Sequence, residues 1–195
     1  NATGEESAIG KLQRRQFIET CGALLDYWID TFGADASLVK EQRIKFNGVV
    51  KNSEEREKSC IADWHSNMCR VLSSKVKYAS ALRRILGEDP TIYHACEYHD
   101  AAAVTSSAAD LQMLKALDLE ANLEQHPESK LEVWSFVKQL NQHSLGYYGM
   151  AITVPSREEI AENIRIHKAS KQPAKSAMSR GFEAVFDELV THLGE

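Results

Sequence analysis

The chain is poor in glycine and proline and has no long apolar run. Ten glycines and four prolines in 195 residues are few for an all-β sandwich but ordinary for a helical protein. No run of about 18 apolar residues is present, so no membrane-spanning helix is predicted. Apolar residues at 43% and charged residues at 26% are typical of a globular domain. The composition therefore predicts a soluble, folded, helical protein.

The chain also has few cysteines and a negative net charge. The chain has four cysteines, too few for a disulfide scaffold, and no Cys-x-x-Cys pair, which argues against a structural zinc site. Each cysteine lies among apolar residues in a helical pattern, which predicts free thiols in a reducing compartment and hence a cytoplasmic protein. The formal net charge of −5 disfavours a globally basic nucleic-acid-binding protein.

Apolar residues recur at spacings of three and four along most of the chain, as on the buried face of an α-helix. This pattern predicts a helix over 7–32, another over 157–169 that begins at Ser156, and a long helix over 53–86 that Gly87 ends. We predict an all-α bundle of about seven helices built around this long central helix.

One domain over residues 1–195 is the simplest organisation, with 1–6 as a disordered or added N-terminal segment. The alternative is a boundary near 147–155 that divides this domain into two parts. That stretch is the only one with β-strand character and is otherwise predicted to be a buried loop or a crossing segment. The side chains expected in the core are Trp28, Trp64, Trp134, Phe17, Met68, Leu82, Val137, Phe182 and Phe186.

Charge is distributed unevenly along the chain. Residues 64–87 carry five basic and no acidic residues, and 163–182 show the same balance, whereas 88–132 carry ten acidic and two basic residues. These segments predict separate acidic and basic faces. A basic face could bind an acidic protein, a second copy of this chain through 88–132, or a nucleic-acid backbone through both basic segments. An ordinary solvated surface is the further alternative.

Three basic residues are the strongest candidates for a binding face. Arg70, Lys77 and Arg84 are seven residues apart, so on a continuous helix over 53–86 they would line one side, opposite the apolar stripe. We therefore predict that these three side chains form the contact surface for a partner.

The His99-Asp100 dipeptide, with His65 upstream, resembles the metal-binding pattern of HD-domain phosphohydrolases. In that family an upstream His, a consecutive His-Asp pair and a later Asp hold a divalent metal, which activates water for attack on a phosphate ester. The resemblance implies His65, His99 and Asp100 as metal ligands. Here, however, Ala101–Val104 are predicted to continue the helix through the pair, and a packed histidine is the alternative. The candidates for the later ligand are Asp110, Asp118 and Asp187.

Common catalytic motifs are missing from the sequence. It has no P-loop, no dinucleotide-binding glycine motif, no nucleophile elbow and no paired Glu-x-x-His of di-iron bundles. The sequence therefore favours a non-enzymatic protein-interaction or scaffold domain that needs no cofactor. A metal-dependent hydrolase is the first alternative and nucleic-acid binding the second.

Overall fold

The computed structural model describes residues 5–50, 53–107, 111–171 and Leu189. Within these ranges the chain is α-helical, with 3₁₀ turns at Gly33–Ala36 and Pro127–Ser129. The α-helices are α1 (Ala8–Phe32), α2 (Ser37–Val50), α3 (Glu54–Met68), α4 (Ala79–Leu86), α5 (Ile92–Glu97), α6 (Ala101–Ser107), α7 (Gln112–Leu117), α8 (Leu119–Gln125), α9 (Lys130–Tyr147) and α10 (Arg157–Lys171). The predicted all-α fold is confirmed.

Two compact units make up the chain, one formed by 1–76 with 89–154 and the other by 77–88 with 155–195. The division falls after Val154, within the stretch where the sequence suggests a sub-boundary. Organisation as one domain stays a prediction. Glu6, which the sequence places in the N-terminal segment outside the fold, is part of the packed first unit, where it contacts Arg14.

The long helix around which the first unit packs is α1. It contacts α9 along much of its length and also packs against α2 and α3. Its first turn is capped by Ser7, whose Oγ accepts a hydrogen bond from the Gly10 N–H at 3.0 Å. Gly33 ends it with a φ of 53°, a conformation that glycine adopts without strain.

The predicted helix 53–86 is wrong, because it is two helices separated by ten residues. After α3 the backbone pairs with the segment before α5: the Leu72 N–H donates to Pro90 O at 2.8 Å, and the Ile92 N–H donates to Arg70 O at 3.1 Å. A β-bridge between Val71 and Thr91 results. This pairing satisfies backbone groups that a helix would otherwise satisfy.

The predicted aromatic core is confirmed for the described residues. Trp28, Trp64 and Trp134 are all buried, as are the smaller core candidates that the structure describes. The latter are Phe17, Met68, Val137 and, in the second unit, Leu82. Phe182 and Phe186 lie outside the described residues.

In the second unit α4 packs against α10. The predicted start of α10 is confirmed by a reciprocal cap, in which the Ser156 N–H donates to Glu159 Oε2 at 2.7 Å and the Glu159 N–H donates to Ser156 Oγ at 3.1 Å. Arg84 Nε donates to Asn163 Oδ1 at 2.9 Å and links the two helices.

The stretch 147–155 is not the buried loop that the sequence predicts. α9 extends to Tyr147, and most of the residues that follow are exposed, with Pro155 buried. Most of the apolar residues in this stretch are therefore not part of the core. Among the described helices, none is both long and apolar enough to cross a membrane.

Candidate functional site

Two places in the first unit combine chemically useful groups. One is a chain of hydrogen-bonding side chains that starts at His65, in the last turn of α3, and at Cys69, which directly follows that helix. The other is an apolar cavity, partly open to solvent, between α1, α2, α3 and the start of α7. The sequence singles out neither as a site, although it names His65.

The first place, the thiol–imidazole network, consists of Cys69, His65, Tyr93 and Ser144. Cys69 Sγ lies 3.4 Å from Nε2 and 3.8 Å from Nδ1 of His65, and His65 Nδ1 lies 2.7 Å from Tyr93 Oη. Tyr93 Oη lies 2.8 Å from Ser144 Oγ on α9. The Tyr148 ring stacks on the His65 ring with centroids 4.1 Å apart. The Cys69 thiol therefore contacts the His65 imidazole, which is also hydrogen-bonded to the Tyr93 hydroxyl.

Local folding brings these groups together. His65 and Cys69 are four residues apart at the end of α3, so their side chains lie on the same side of the helix. The bridge between Val71 and Thr91 then returns the chain to that helix end, which positions Tyr93 in the first turn of α5.

Burial keeps the thiol–imidazole network uncharged at neutral pH. It raises the pKa of the Cys69 thiol and lowers that of the His65 imidazole. It also raises the pKa of Tyr93 well above the usual phenol value, more than the hydrogen bond with Ser144 lowers it. The network is therefore a set of neutral hydrogen-bond donors and acceptors.

Acidification is expected to destabilise the protein in part through His65. Because the pKa of folded His65 lies below its usual 6.5, the unfolded chain binds a proton more readily. The contribution of His65 is therefore fully present above about pH 6.5 and is lost as the pH falls towards the folded pKa. Urea unfolding of His65→Gln at about pH 7.5 and 5.5 should show a smaller loss than the wild type. An equal loss in both proteins would contradict this assignment.

His99 and Asp100 form a turn between α5 and α6, so the continuous helix predicted through them is wrong. His99 has a φ of 54°, in the left-handed region. Asp100 Oδ1 accepts a hydrogen bond from the Ala103 N–H at 3.1 Å and so caps α6. The His99 ring stacks on Trp134, with centroids 5.1 Å apart and planes 4° from parallel. Helix capping and aromatic stacking account for both side chains.

The proposed metal ligands do not come together. Across 5–50, 53–107 and 111–171, no three His, Cys, Asp or Glu side chains are grouped so that they could hold a metal ion. His65 instead contacts Tyr93 and Cys69. Two of the candidates for the later ligand, Asp110 and Asp187, lie outside the described residues. The metal-dependent hydrolase stays a prediction, and the described part of the chain provides no ligand set for it.

The basic stripe is also absent as a single helical face. Arg70 follows the end of α3, Lys77 precedes α4, and Arg84 lies within α4. Arg70 Nη1 donates to the carbonyl of Ser107 at 3.0 Å. The alignment predicted for these residues is wrong because helix 53–86 is broken, and their role in binding stays a prediction.

The second place, the interhelical cavity, has a volume of about 240 Å³. Its interior is formed mainly by apolar and aromatic side chains, including the edge-to-face pair of Phe17 and Trp64. Polar side chains are found among the more exposed lining residues. The residues that line it are Phe17, Cys21, Leu25, Gln42, Lys45, Phe46, Cys60, Asp63, Trp64, Leu111, Gln112 and Met113.

Two cysteines contribute to the wall of the interhelical cavity. Cys21 is buried and Cys60 is partly buried, and both carry free thiols. Burial raises the pKa of both thiols. A negative charge on Cys60 would raise the pKa of Cys21 further, because the two thiols lie near each other. Cysteine is small, and two such residues on facing helices leave space that larger apolar residues would fill.

The sequence gives a partial signal for this cavity. The positions of Phe17, Cys21 and Leu25 follow the helical period and identify one wall as buried. Whether a buried surface is filled depends on side chains from helices distant in sequence, which periodicity does not reveal.

No family model, no curated protein and no solved structure matches this chain.

Proposed function

We propose that this chain is a non-enzymatic binding protein whose interhelical cavity takes a small, largely apolar molecule. The observation that carries the proposal is the cavity itself, with aromatic walls from Phe17, Phe46 and Trp64 and polar groups among its more exposed lining residues. Apolar clefts with a few polar groups, placed between the helices of a bundle, are typical ligand sites.

The volume sets the size of the ligand. An engineered apolar cavity of about 150 Å³ accepts benzene, whereas drug-sized ligands occupy pockets of about 300–1,000 Å³. At about 240 Å³ the interhelical cavity suits a two-ring aromatic such as indole or naphthalene, or an aliphatic molecule of similar bulk. Burial of such a molecule removes apolar surface from water, which is the expected driving force.

Polar groups in the lining allow the ligand one polar substituent. Lys45 is exposed and paired with Glu41 at 3.6 Å, and Asp63 is exposed on α3. The side-chain amides of Gln42 and Gln112 can both donate and accept. An uncharged ligand with a single N–H or hydroxyl, such as indole or naphthol, can satisfy these groups without burying a charge.

Thermal unfolding with indole and naphthol tests this proposal. At ten times the dissociation constant, a ligand that binds only the folded chain stabilises it by about 1.4 kcal/mol. For a chain of this size that is a midpoint shift of about 3–6 °C. Cys60→Phe, which fills the cavity, should abolish the shift, and Cys60→Ser, which leaves it open, should keep it. Equal shifts in the two variants, or none in the wild type, would contradict the proposal.

Protection of Cys60 gives a second readout that does not need the filled variant to fold. In Cys69→Ser, Cys60 is the single thiol of tryptic peptide 59–70. Saturating indole should slow alkylation of Cys60 by iodoacetamide about tenfold, the protection expected at ten times the dissociation constant. Cys69, measured in Cys60→Ser, should react at an unchanged rate. Loss of protection at Cys60, or equal protection at both thiols, would count against the interhelical cavity.

The interaction or scaffold role stays a prediction from sequence. This role is supported by the separation of acidic and basic segments along the sequence. Its predicted contact surface, Arg70, Lys77 and Arg84, does not form one helical face. The geometry therefore favours a small-molecule ligand over an acidic protein, a second copy or a nucleic acid. Cytoplasmic localisation likewise stays a prediction, in keeping with the four free thiols.

A further inference from the structure

We propose that Cys69 is a nucleophilic thiol that forms a mixed disulfide with a low-molecular-weight disulfide, with His65 as its general base and Tyr93 as the residue that positions His65. This inference is independent of the interhelical cavity, because the cavity lining does not include any of these three residues.

The geometry of the thiol–imidazole network carries this inference. A nucleophile and a base within hydrogen-bonding reach, with the base oriented by a third group, form the arrangement on which nucleophilic catalysis depends. Cys69 Sγ is 3.4 Å from Nε2 and 3.8 Å from Nδ1 of His65, and the Tyr93 hydroxyl is 2.7 Å from Nδ1. Tyr93 is itself held by Ser144, and the ring of Tyr148 covers one face of the imidazole.

Access differs between the four cysteines. Cys21 and Cys96 are buried, whereas Cys69 and Cys60 are partly buried and therefore within reach of a small reagent. Burial raises the pKa of both partly buried thiols, which differ in the groups beside them. Cys69 contacts an imidazole, whereas the pKa of Cys60 is raised by burial and by the nearby carboxylates of Asp63 and Glu57. Cys60, in α3, is thus a matched control only nine residues before Cys69, which directly follows that helix.

The charge state of the pair selects the reaction class. Thiol and imidazole are both neutral at rest, so the thiolate forms only as His65 takes the proton. The titratable groups facing the pair are Tyr93 of α5, Tyr148 after α9 and Asp63 of α3. The negative charge of Asp63 raises the pKa of Tyr148. An alkyl disulfide suits this pair because its leaving sulfur needs a proton back, which the imidazolium can return.

The step balances within the pair and the disulfide. His65 Nε2 accepts the thiol proton as Cys69 Sγ attacks one sulfur of the disulfide, so one S–S bond forms and the original one breaks. The electron pair of the broken bond leaves on the second sulfur, which takes the proton from His65 and departs as a thiol. Cys69 is oxidised to the mixed disulfide, and half of the disulfide is reduced.

The experiment measures the rate of mixed-disulfide formation with hydroxyethyl disulfide, an uncharged reagent, in full-length protein. Cys60→Ser reports Cys69, and Cys69→Ser reports Cys60, both on tryptic peptide 59–70. At pH 7 we expect Cys69 to react about a hundredfold faster than Cys60, the lower part of the range for general-base assistance. Dithiothreitol should reverse the modification.

His65→Gln in the Cys60→Ser background isolates the base. We expect at least a tenfold slower reaction at pH 7. The pH profile should also change: a plateau above the pKa of His65, which lies below 6.5, should become a steady rise of about tenfold per pH unit, as for an unassisted thiol. Tyr93→Phe should give an intermediate rate, and His143→Gln, a change at another partly buried histidine, should have no effect.

The same measurements can overturn the proposal. Equal rates for Cys69 and Cys60 would remove the special status of Cys69. An unchanged rate and pH profile in His65→Gln would remove the base. Circular dichroism of each variant identifies any that fail to fold, and in that case the comparison of Cys69 with Cys60, which leaves His65 and Tyr93 unchanged, decides alone.

Discussion

Replacing Arg14 with methionine should lower the free energy of unfolding by about 3–5 kcal/mol, the cost of removing one partner from a buried ion pair. The Arg14 side chain is 1% exposed. Its guanidinium donates to both carboxylate oxygens of Glu6 and to Glu57, and it lies 3.6 Å from Glu54. Methionine would leave the mostly buried carboxylates of Glu6 and Glu57 without this cation.

Urea unfolding at neutral pH measures this effect, and Arg43→Met is the matched control. Arg43 pairs with Asp26 at 2.8 Å, but the aspartate is more than half exposed. Exposed pairs contribute about 0–1 kcal/mol. Changing Glu6 and Glu57 to glutamine in the Arg14→Met background should restore part of the stability. A loss at Arg14 no greater than that at Arg43 would contradict this account.

The Arg14 cluster also predicts a dependence on acid. The hydrogen bond from Arg14 is the main reason why the pKa of Glu6 is lowered from its usual value of 4.5. The stability that Glu6 contributes is therefore present above about pH 4.5 and lost as the pH falls through its folded pKa. This part of the acid sensitivity should be missing in Arg14→Met.

Trp64→Ala is expected to destabilise the protein by about 3–5 kcal/mol, as for other large aromatic residues removed from a core. The side chain is buried between α1 and α9: its ring meets Phe17 edge-to-face at 5.9 Å, and Nε1–H donates to Asn141 Oδ1 at 2.9 Å. Alanine would remove these contacts and leave the buried Asn141 amide without this donor.

A double-mutant cycle separates the hydrogen bond of Trp64 from its packing. Trp64→Phe keeps an aromatic ring but deprives Asn141 of its donor, which should cost about 1–3 kcal/mol. Adding Asn141→Leu removes the polar partner as well, so the double variant should be less destabilised than the sum of the two single variants. Urea unfolding gives all three values. Simple additivity would show that the hydrogen bond adds nothing beyond packing.

Local signals in the sequence were sufficient for the helices whose ends carry caps. The apolar period of 7–32 closely predicted α1, and Ser156 with Glu159 predicted the start of α10, because a cap depends on residues within one turn. The three tryptophans were correctly placed in the core. These features depend on neighbours within a few residues, which a sequence displays directly.

Long-range pairing explains what the sequence did not reveal. The residues after Met68 continue the helical spacing, yet their backbone pairs with Pro90 and Ile92, about twenty residues further on. The same pairing brings Tyr93 to His65, so the thiol–imidazole network was hidden although His65 and Cys69 show the helical spacing of four. The turn at His99 was missed because a run of alanines continues the helix signal beyond it.

The most direct test of the interhelical cavity as a ligand site is diffraction from crystals soaked in 5-bromoindole, whose bromine gives an anomalous signal. The account predicts a bromine peak inside the cavity, between Phe17, Phe46 and Trp64, and no such peak in crystals of Cys60→Phe. Wild-type crystals with bromine only at other places, or with none, would contradict it.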